Sequence, residues 1–373
     1  MKNLFYLIIV LIGFSCKGSL SDREELKSVH LGVINATPKQ EKVVLEDLNA
    51  TIKSIRLETN DSCILNKITQ LVDVDYLWIV ADRQLYKFDK SGAFIGLIGQ
   101  KGQGPAEYVA PERIQVDREQ KIVYVIDYLG RKMMSFDYEG NFLRSLPLPE
   151  DYSLNRIALD NKQLYYSSYT NSVMPDLFAC DMTTGKIDTI SFRERTMGQE
   201  AYAGETFMYH LNGKAYLYHY FNDTVYTLAD NRLTPAYLFD LGDSKFSFKQ
   251  LTVTGEATSE EPIDHPKIQL SNFIDTEKYI ILSYSVVNSW RMGTKPDQRF
   301  ALYDKVGQVM YPDVYLVSEK QDIFSLEPED PIFASTDEHS IFTFKQASDL
   351  LEDHEIEGLD AEDNPVIVQY TFN

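Results

Sequence analysis

Cysteine is scarce in this chain of 373 residues, which holds three: Cys16, Cys63 and Cys180. Small secreted domains stapled by disulfides need several pairs, so that class is excluded, and Cys63 and Cys180 are expected as buried apolar residues rather than a bridge. Histidine is sparse as well, with six, and none stands at a metal-binding spacing from another histidine or from the later cysteines. His210 and His219 flank an apparent hairpin, which is expected to be a coincidence of strand surface. Basic residues are in deficit, 36 against 56 acidic ones, for a net charge of -20. A polyanion such as nucleic acid is therefore excluded as a partner. A Gly-Lys-Ser/Thr phosphate loop and a Gly-x-Ser-x-Gly nucleophile elbow are both missing. The sequence marks no catalytic residue, and neither a metal nor a cofactor is expected.

Long apolar runs are missing too, except for Leu4 to Phe14 (LFYLIIVLIGF) behind the basic start Met1-Lys2-Asn3. A spanning helix needs about 17–25 apolar residues, so this run suits the core of a cleaved signal peptide instead. It closes on Ile12-Gly13-Phe14-Ser15-Cys16, which resembles a bacterial lipobox, with Phe14 larger than the usual occupant. The resemblance implies that residues 1–15 are a lipoprotein signal peptide and that Cys16 carries the acyl chains, palmitate among them. Residues 16–42 are then expected as a lipid-anchored linker and 43–373 as the folded domain. Acyl chains contribute about 0.8 kcal/mol per buried methylene, enough in combination to hold a soluble domain on a membrane. Lys17-Gly18 lacks the aspartate of inner-membrane retention. The expected location is the outer membrane, on its periplasmic face or at the cell surface.

What the chain does have is aromatic strand residues, 24 tyrosines and 20 phenylalanines, in short runs broken by Asp, Asn and Gly. These runs repeat. LYKFDKSGAFIGLIG (Leu85 to Gly99) aligns with MMSFDYEGNFLRSLP (Met133 to Pro147), matching Phe88 to Phe136, Asp89 to Asp137 and Gly92 to Gly140. Arg113-Ile114-Gln115-Val116-Asp117 reappears as Arg156-Ile157-Ala158-Leu159-Asp160. Both recurrences have the length of a propeller blade. Ser91-Gly92, Glu139-Gly140 and Thr184-Gly185 supply turns that favour positive φ between strands of a four-stranded meander. A lone meander leaves both faces apolar, and packing such units in a ring covers them. Ala347 to Leu359 is the one credible short helix.

Phe94 to Leu143 resembles an NHL-type propeller repeat: a Gly-rich loop, an aromatic, a proline, two strands ending in aspartate and a Phe-Asp-x-x-Gly turn. Over its length the chain resembles the six-bladed β-propeller lipoproteins abundant in Bacteroidetes, many of which carry domains of unknown function. That resemblance implies an all-β, six-bladed propeller of four-stranded antiparallel blades. Closure is expected in the last blade, where strands near Ile332 to Ser335 and Ile341 to Lys345 and the run Pro365 to Phe372 are joined by Ala50 to Leu57 from the N-terminal side.

The family resemblance brings no catalytic residues, so candidate site residues come from the repeats. The loop Gly99 to Pro105 (GQKGQGP) is expected to be a passage from one blade to the next rather than a phosphate cradle. Asp82, Asp117, Asp127, Asp160 and Asp275 sit at strand ends, where aspartate commonly caps a turn. Fifteen acidic residues against two basic ones between Glu319 and Asp363 form a solvated face. Tyrosines crowd one blade, at Tyr202, Tyr209, Tyr216, Tyr218, Tyr220 and Tyr226, mostly as strand formers. Inner strands line a propeller's channel, so Tyr108, Glu112, Arg113, Asn155 and Arg156 are the candidate ligand contacts, with the two arginines offering parallel donors to an acidic group. The expected function is that of a membrane-tethered propeller accessory to nutrient uptake, binding a protein, a small molecule or a glycan. The alternative is a metal-dependent propeller hydrolase of the lactonase kind, which requires carboxylates or amides converging on one ion at the channel.

Overall fold

The computed structural model describes residues 29–34, 40–148, 152–160, 163–168, 175–192, 206–211, 214–219, 224–245, 266–287, 297–352 and 354–373. It is nearly all β, with six small sheets arranged in a ring. Blade 1 runs through Ile68–Val74, Tyr76–Ala81, Gln84–Phe88 and Phe94–Leu97, each strand antiparallel to the one before. Blade 2 (Pro111–Asp117, Ile122–Asp127, Lys132–Asp137, Phe142–Pro147) and blade 3 (Tyr152–Asp160, Gln163–Ser168, Pro175–Asp181, Ile187–Phe192) repeat that meander. Blade 4 begins at Thr206–Leu211 and ends at Arg232–Asp240; blade 5 spans Lys267–Asp275 to Val309–Val317. Blade 6 joins Phe333–Ala334, Ser340–Lys345 and Val366–Phe372 to Ala50–Arg56 from the other end of the chain. The register of that closure runs from Val366 opposite Arg56 to Phe372 opposite Ala50, as expected.

The second strand of each blade explains why these runs read as continuously apolar. In blade 1, Leu77, Ile79 and Ala81 pack toward blade 6 with Phe342 and Ile367, while Trp78 and Val80 pack toward blade 2 with Ile114 and Val125. Alternate side chains thus serve two interfaces, and neither face of the sheet meets water. Cys63 and Cys180 are both free and buried, in different interfaces, and burial pushes each thiol up. The turn glycines Gly92, Gly140 and Gly185 all have positive φ. The helix covers Ala347–Glu352 and stops short of the expected Leu359.

The stretch expected as a linker departs from expectation. Val29–Val33 pairs in parallel with the outer strand of blade 4, and Glu41–Val44 does the same on blade 5, each making a five-stranded sheet. Ile34 and Leu45, which directly follow these strands, are wholly buried. With Ala50–Arg56 in blade 6, the N-terminal arm belts three consecutive blades.

Candidate functional site

The channel of a propeller is lined by its first strands, and in this ring four of them carry an aspartate at or beside their last residue: Asp73, Asp117, Asp160 and Asp275. Four residues earlier stand Thr69, Arg113, Arg156 and Ser271. Thr69, Arg113 and Ser271 are all exposed although their neighbours Ile68, Ile114 and Leu270 are buried, so these side chains face the channel rather than an adjoining blade. Arg156 stands at the same sequence offset in blade 3, within the irregularity between Tyr152 and Ile157; its side chain, like that of Asn155, lies outside the described residues.

Backbone irregularity separates the three. Blades 1 and 5 have a β-bulge at Thr69 and Ser271, between Ile68 and Gln70 and between Leu270 and Asn272. A bulge disturbs the ladder opposite it. The Thr69 hydroxyl donates to Val80 O at 3.2 Å and Ser271 to Ser283 O at 3.0 Å, so both turn back onto their own sheets. In blade 2 the bulge falls one residue earlier, at Glu112, which leaves Arg113 in register opposite Ile126. The Arg113 side chain makes no hydrogen bond or ion pair among the described residues. Water reaches it, yet protein surrounds it: desolvation pushes its pKa below the ordinary arginine value, opposed by the charge of neighbouring Glu112. A cation without a partner has nothing in the protein to offset the hydration it does lose.

Nearby polar side chains have structural work. Gln70 donates to Ile114 O at 3.0 Å and accepts from Ile114 N at 2.6 Å, and Asn272 donates to Ile332 O at 3.0 Å. These amides tie first strands of adjacent blades, where no ladder forms. Asp275 accepts from the hydroxyls of Tyr216 at 2.8 Å and Tyr237 at 2.5 Å and pairs with Lys305. Asp73 pairs with Lys90 and accepts from Ser335. Buried Asp127 accepts from the N–H groups of Val109, Ala110 and Gly130, fixing the loop between blades 1 and 2, while Asp82 accepts from Asn66 N and Asp117 from Gln120 N. Among the described residues no three His, Cys, Asp or Glu are grouped to hold a metal ion.

Residues 30–371 match the profile of DUF4934, a domain of unknown function. The chain belongs to the DUF4934 family. A protein of Bacteroides fragilis NCTC 9343, whose name places it provisionally among exported proteins, is similar to it at 20% identity and a TM-score of 0.71, covering 91% of this chain and 99% of that one. A DUF4221 member from Bacteroides vulgatus ATCC 8482 is similar at 10% identity and a TM-score of 0.52, over 86% of this chain and 98% of that one. Both likenesses are of fold. No curated protein matches.

Within this DUF4934 chain the candidate contacts separate. Glu112, half-exposed, and exposed Arg113 stand next to each other on the first strand of blade 2. Tyr108 does not: it is fully buried, its hydroxyl donates to Ile98 O at 2.7 Å and receives Gln84 and Leu85 N, and burial holds it protonated. It is a core pillar beneath the Gly-rich loop, not a ligand contact. That loop is the expected passage, with Gln100–Lys101 paired to Glu107–Tyr108. Tyr216 and Tyr218 are buried, whereas Tyr202 and Tyr220 and the side chain of Tyr209 lie outside the described residues. His219 pairs with Thr206 and His210 with Ala215, so the two histidines stand four ladder steps apart. An open cleft of about 420 Å³ at the rim between blades 6 and 1 includes Arg56, Glu58, Thr59 and Asn364. Their polar atoms are spent on fixed bonds, Arg56 on Glu357 O, Glu58 on Phe94 N and Asn364 on Glu58 O and Thr59. Sequence reading passed over Thr69 and Ser271, whose signal is their constant offset from the strand-end aspartate.

Proposed function

We propose that this protein is a cell-envelope lipoprotein, anchored through acylated Cys16, that binds a ligand at the channel end presented by Glu112 and Arg113. The observation that carries the binding reading is Arg113: a channel-facing cation that neither bonds its own sheet, as its counterparts Thr69 and Ser271 do, nor pairs with an acid. The anchor rests on the signal-like Leu4 to Phe14 run and the lipobox resemblance. No helix among the described residues is long and apolar enough to cross a membrane, so attachment by lipid would supply what the fold does not. Labelled palmitate fed to cells tests the anchor. The wild-type chain should incorporate it and sediment with the outer membrane, whereas Cys16→Ala should do neither while keeping its fold. Unchanged membrane attachment of Cys16→Ala overturns the lipoprotein assignment.

A further inference from the structure

We infer that the channel site takes a carboxylate on a hydroxylated small molecule, a sugar acid, with Arg113 as the anion receptor and Glu112 as the acceptor for an adjacent hydroxyl. This rests on the binding reading above and specifies its chemistry. Guanidinium offers paired N–H donors in a fixed plane, the geometry that a carboxylate matches with two parallel hydrogen bonds. That match is favoured here because the guanidinium arrives without a partner to displace. The bulge at Glu112 matters for the same reason. It falls on the glutamate and leaves Arg113 in register, and the two adjacent residues form no ion pair, although the charge of Glu112 still acts on the guanidinium. An acceptor beside an anion receptor suits a ligand that carries a hydroxyl next to its acid. A plain polyanion is disfavoured by Glu112 itself and by the net charge of -20.

The sequence repeat adds a second element. Arg156 stands four residues before Asp160 as Arg113 stands four before Asp117, so two successive first strands carry an arginine at one sequence offset. Blades 1 and 5 place hydroxyl residues at that offset, already bonded to their own carbonyls. The acid end of the ligand is expected to lie against blade 2, where Arg113 is exposed.

The test is calorimetric titration of the full-length protein, in detergent, with D-glucuronate, with D-glucose as the neutral counterpart and a neutral xylo-oligosaccharide bearing one glucuronate residue as a glycan-borne source of the same acid. Glucuronate should bind and glucose should bind at least tenfold more weakly. Arg113→Ala should cut glucuronate affinity about tenfold to a hundredfold, the range of a charge-assisted hydrogen-bonded pair, and Arg113→Lys should recover part of it. A normal melt for both variants keeps the comparison valid; a misfolded Arg113→Ala shifts the decision to Arg113→Lys, which should still bind more weakly than wild type. Tighter binding of the oligomer identifies a glycan source, and equal binding identifies the free acid. Failure of glucuronate and the oligomer to bind overturns the inference. So does glucose binding equally well or an Arg113→Lys affinity equal to wild type, outcomes that leave the broader binding reading standing.

Discussion

At the scale of single residues, much of the conspicuous chemistry of this chain maintains shape. The aspartates Asp89, Asp137, Asp181 and Asp304 each accept two backbone N–H bonds from the turn that follows, and Asp89 and Asp137 do so with the same i+2 and i+4 spacing. Gly92 completes the first of these turns under a double constraint. Its φ is +96°, and a Cβ would lie 2.0 Å from Arg56 O on the adjoining blade. Gly185, at φ +73°, has nothing within 4 Å. A left-handed conformation alone costs an L-residue about 1–2 kcal/mol. Gly185→Ala should therefore lose about 1–2 kcal/mol in urea unfolding, and Gly92→Ala about 3 kcal/mol or more, because backbone must also move. Equal losses would mean that blades 6 and 1 do not meet as closely as described. Gly92 was legible as a turn residue from the Asp-x-x-Gly repeat, and Gly185 from the Thr184-Gly185 turn pair. The contact with Arg56 was not, since it depends on which blades adjoin. Tyr108 shows the converse: an aromatic in a Gly-rich loop reads as exposed until the loop is seen folding over it.

At the scale of elements, the belt is the feature that local sequence reading does not reach. VHLGV and EKVV are short, lack any repeat mate, and pair in parallel, so no hairpin turn announces them. Their capture is nonetheless specific. Glu46, just past the second belt strand, accepts from the Ser318 hydroxyl at 2.6 Å and from the N–H groups of Glu319 and Lys320. These bonds, with Ser318 contributing most, hold its pKa at about 2 against an ordinary 4.5. A carboxyl whose pKa falls on folding contributes stability that is fully present above pH 4.5 and is lost as the pH drops toward 2. Urea melts should show Glu46→Gln less stable than wild type at pH 6, with the difference shrinking between pH 4.5 and 3. A difference that stays constant over that window would rule out the charge as the source. The four-stranded meanders, by contrast, were legible throughout, because alternate residues serving two interfaces leave long apolar strands between turn dipeptides.

At the scale of the whole molecule, ring closure was readable because one strand-like run at each end lacked a neighbour of its own. Val366, Ile367, Val368, Tyr370 and Phe372 are all buried in that closing strand. At about 1.5–3 kcal/mol for each such side chain, their loss reaches the whole net stability of a domain, about 5–15 kcal/mol. Deleting Asn364 to Asn373 should accordingly abolish a cooperative calorimetric melt. A truncated chain that still melts in one sharp transition would show that the ring does not depend on this closure. The channel site was only half legible. Its position followed from the repeat, but the free state of Arg113 depends on where a bulge falls, and a one-residue shift of that kind leaves no mark on composition or spacing.

The belt also imposes an order in time. Residues 29 to 56 are made early, but their partners lie at 237–240, 314–317 and 366–372, the last within eight residues of the C-terminus. The start of the folded chain must therefore wait, unpaired, until almost everything else has been synthesised and, if the protein is exported, delivered. Such long-range pairing slows folding and delays completion of the ring until the final strand is available. For a chain that crosses a membrane as an extended polymer, that delay is an advantage: residues 29 to 56 have nothing complete to fold onto until 366–372 have crossed.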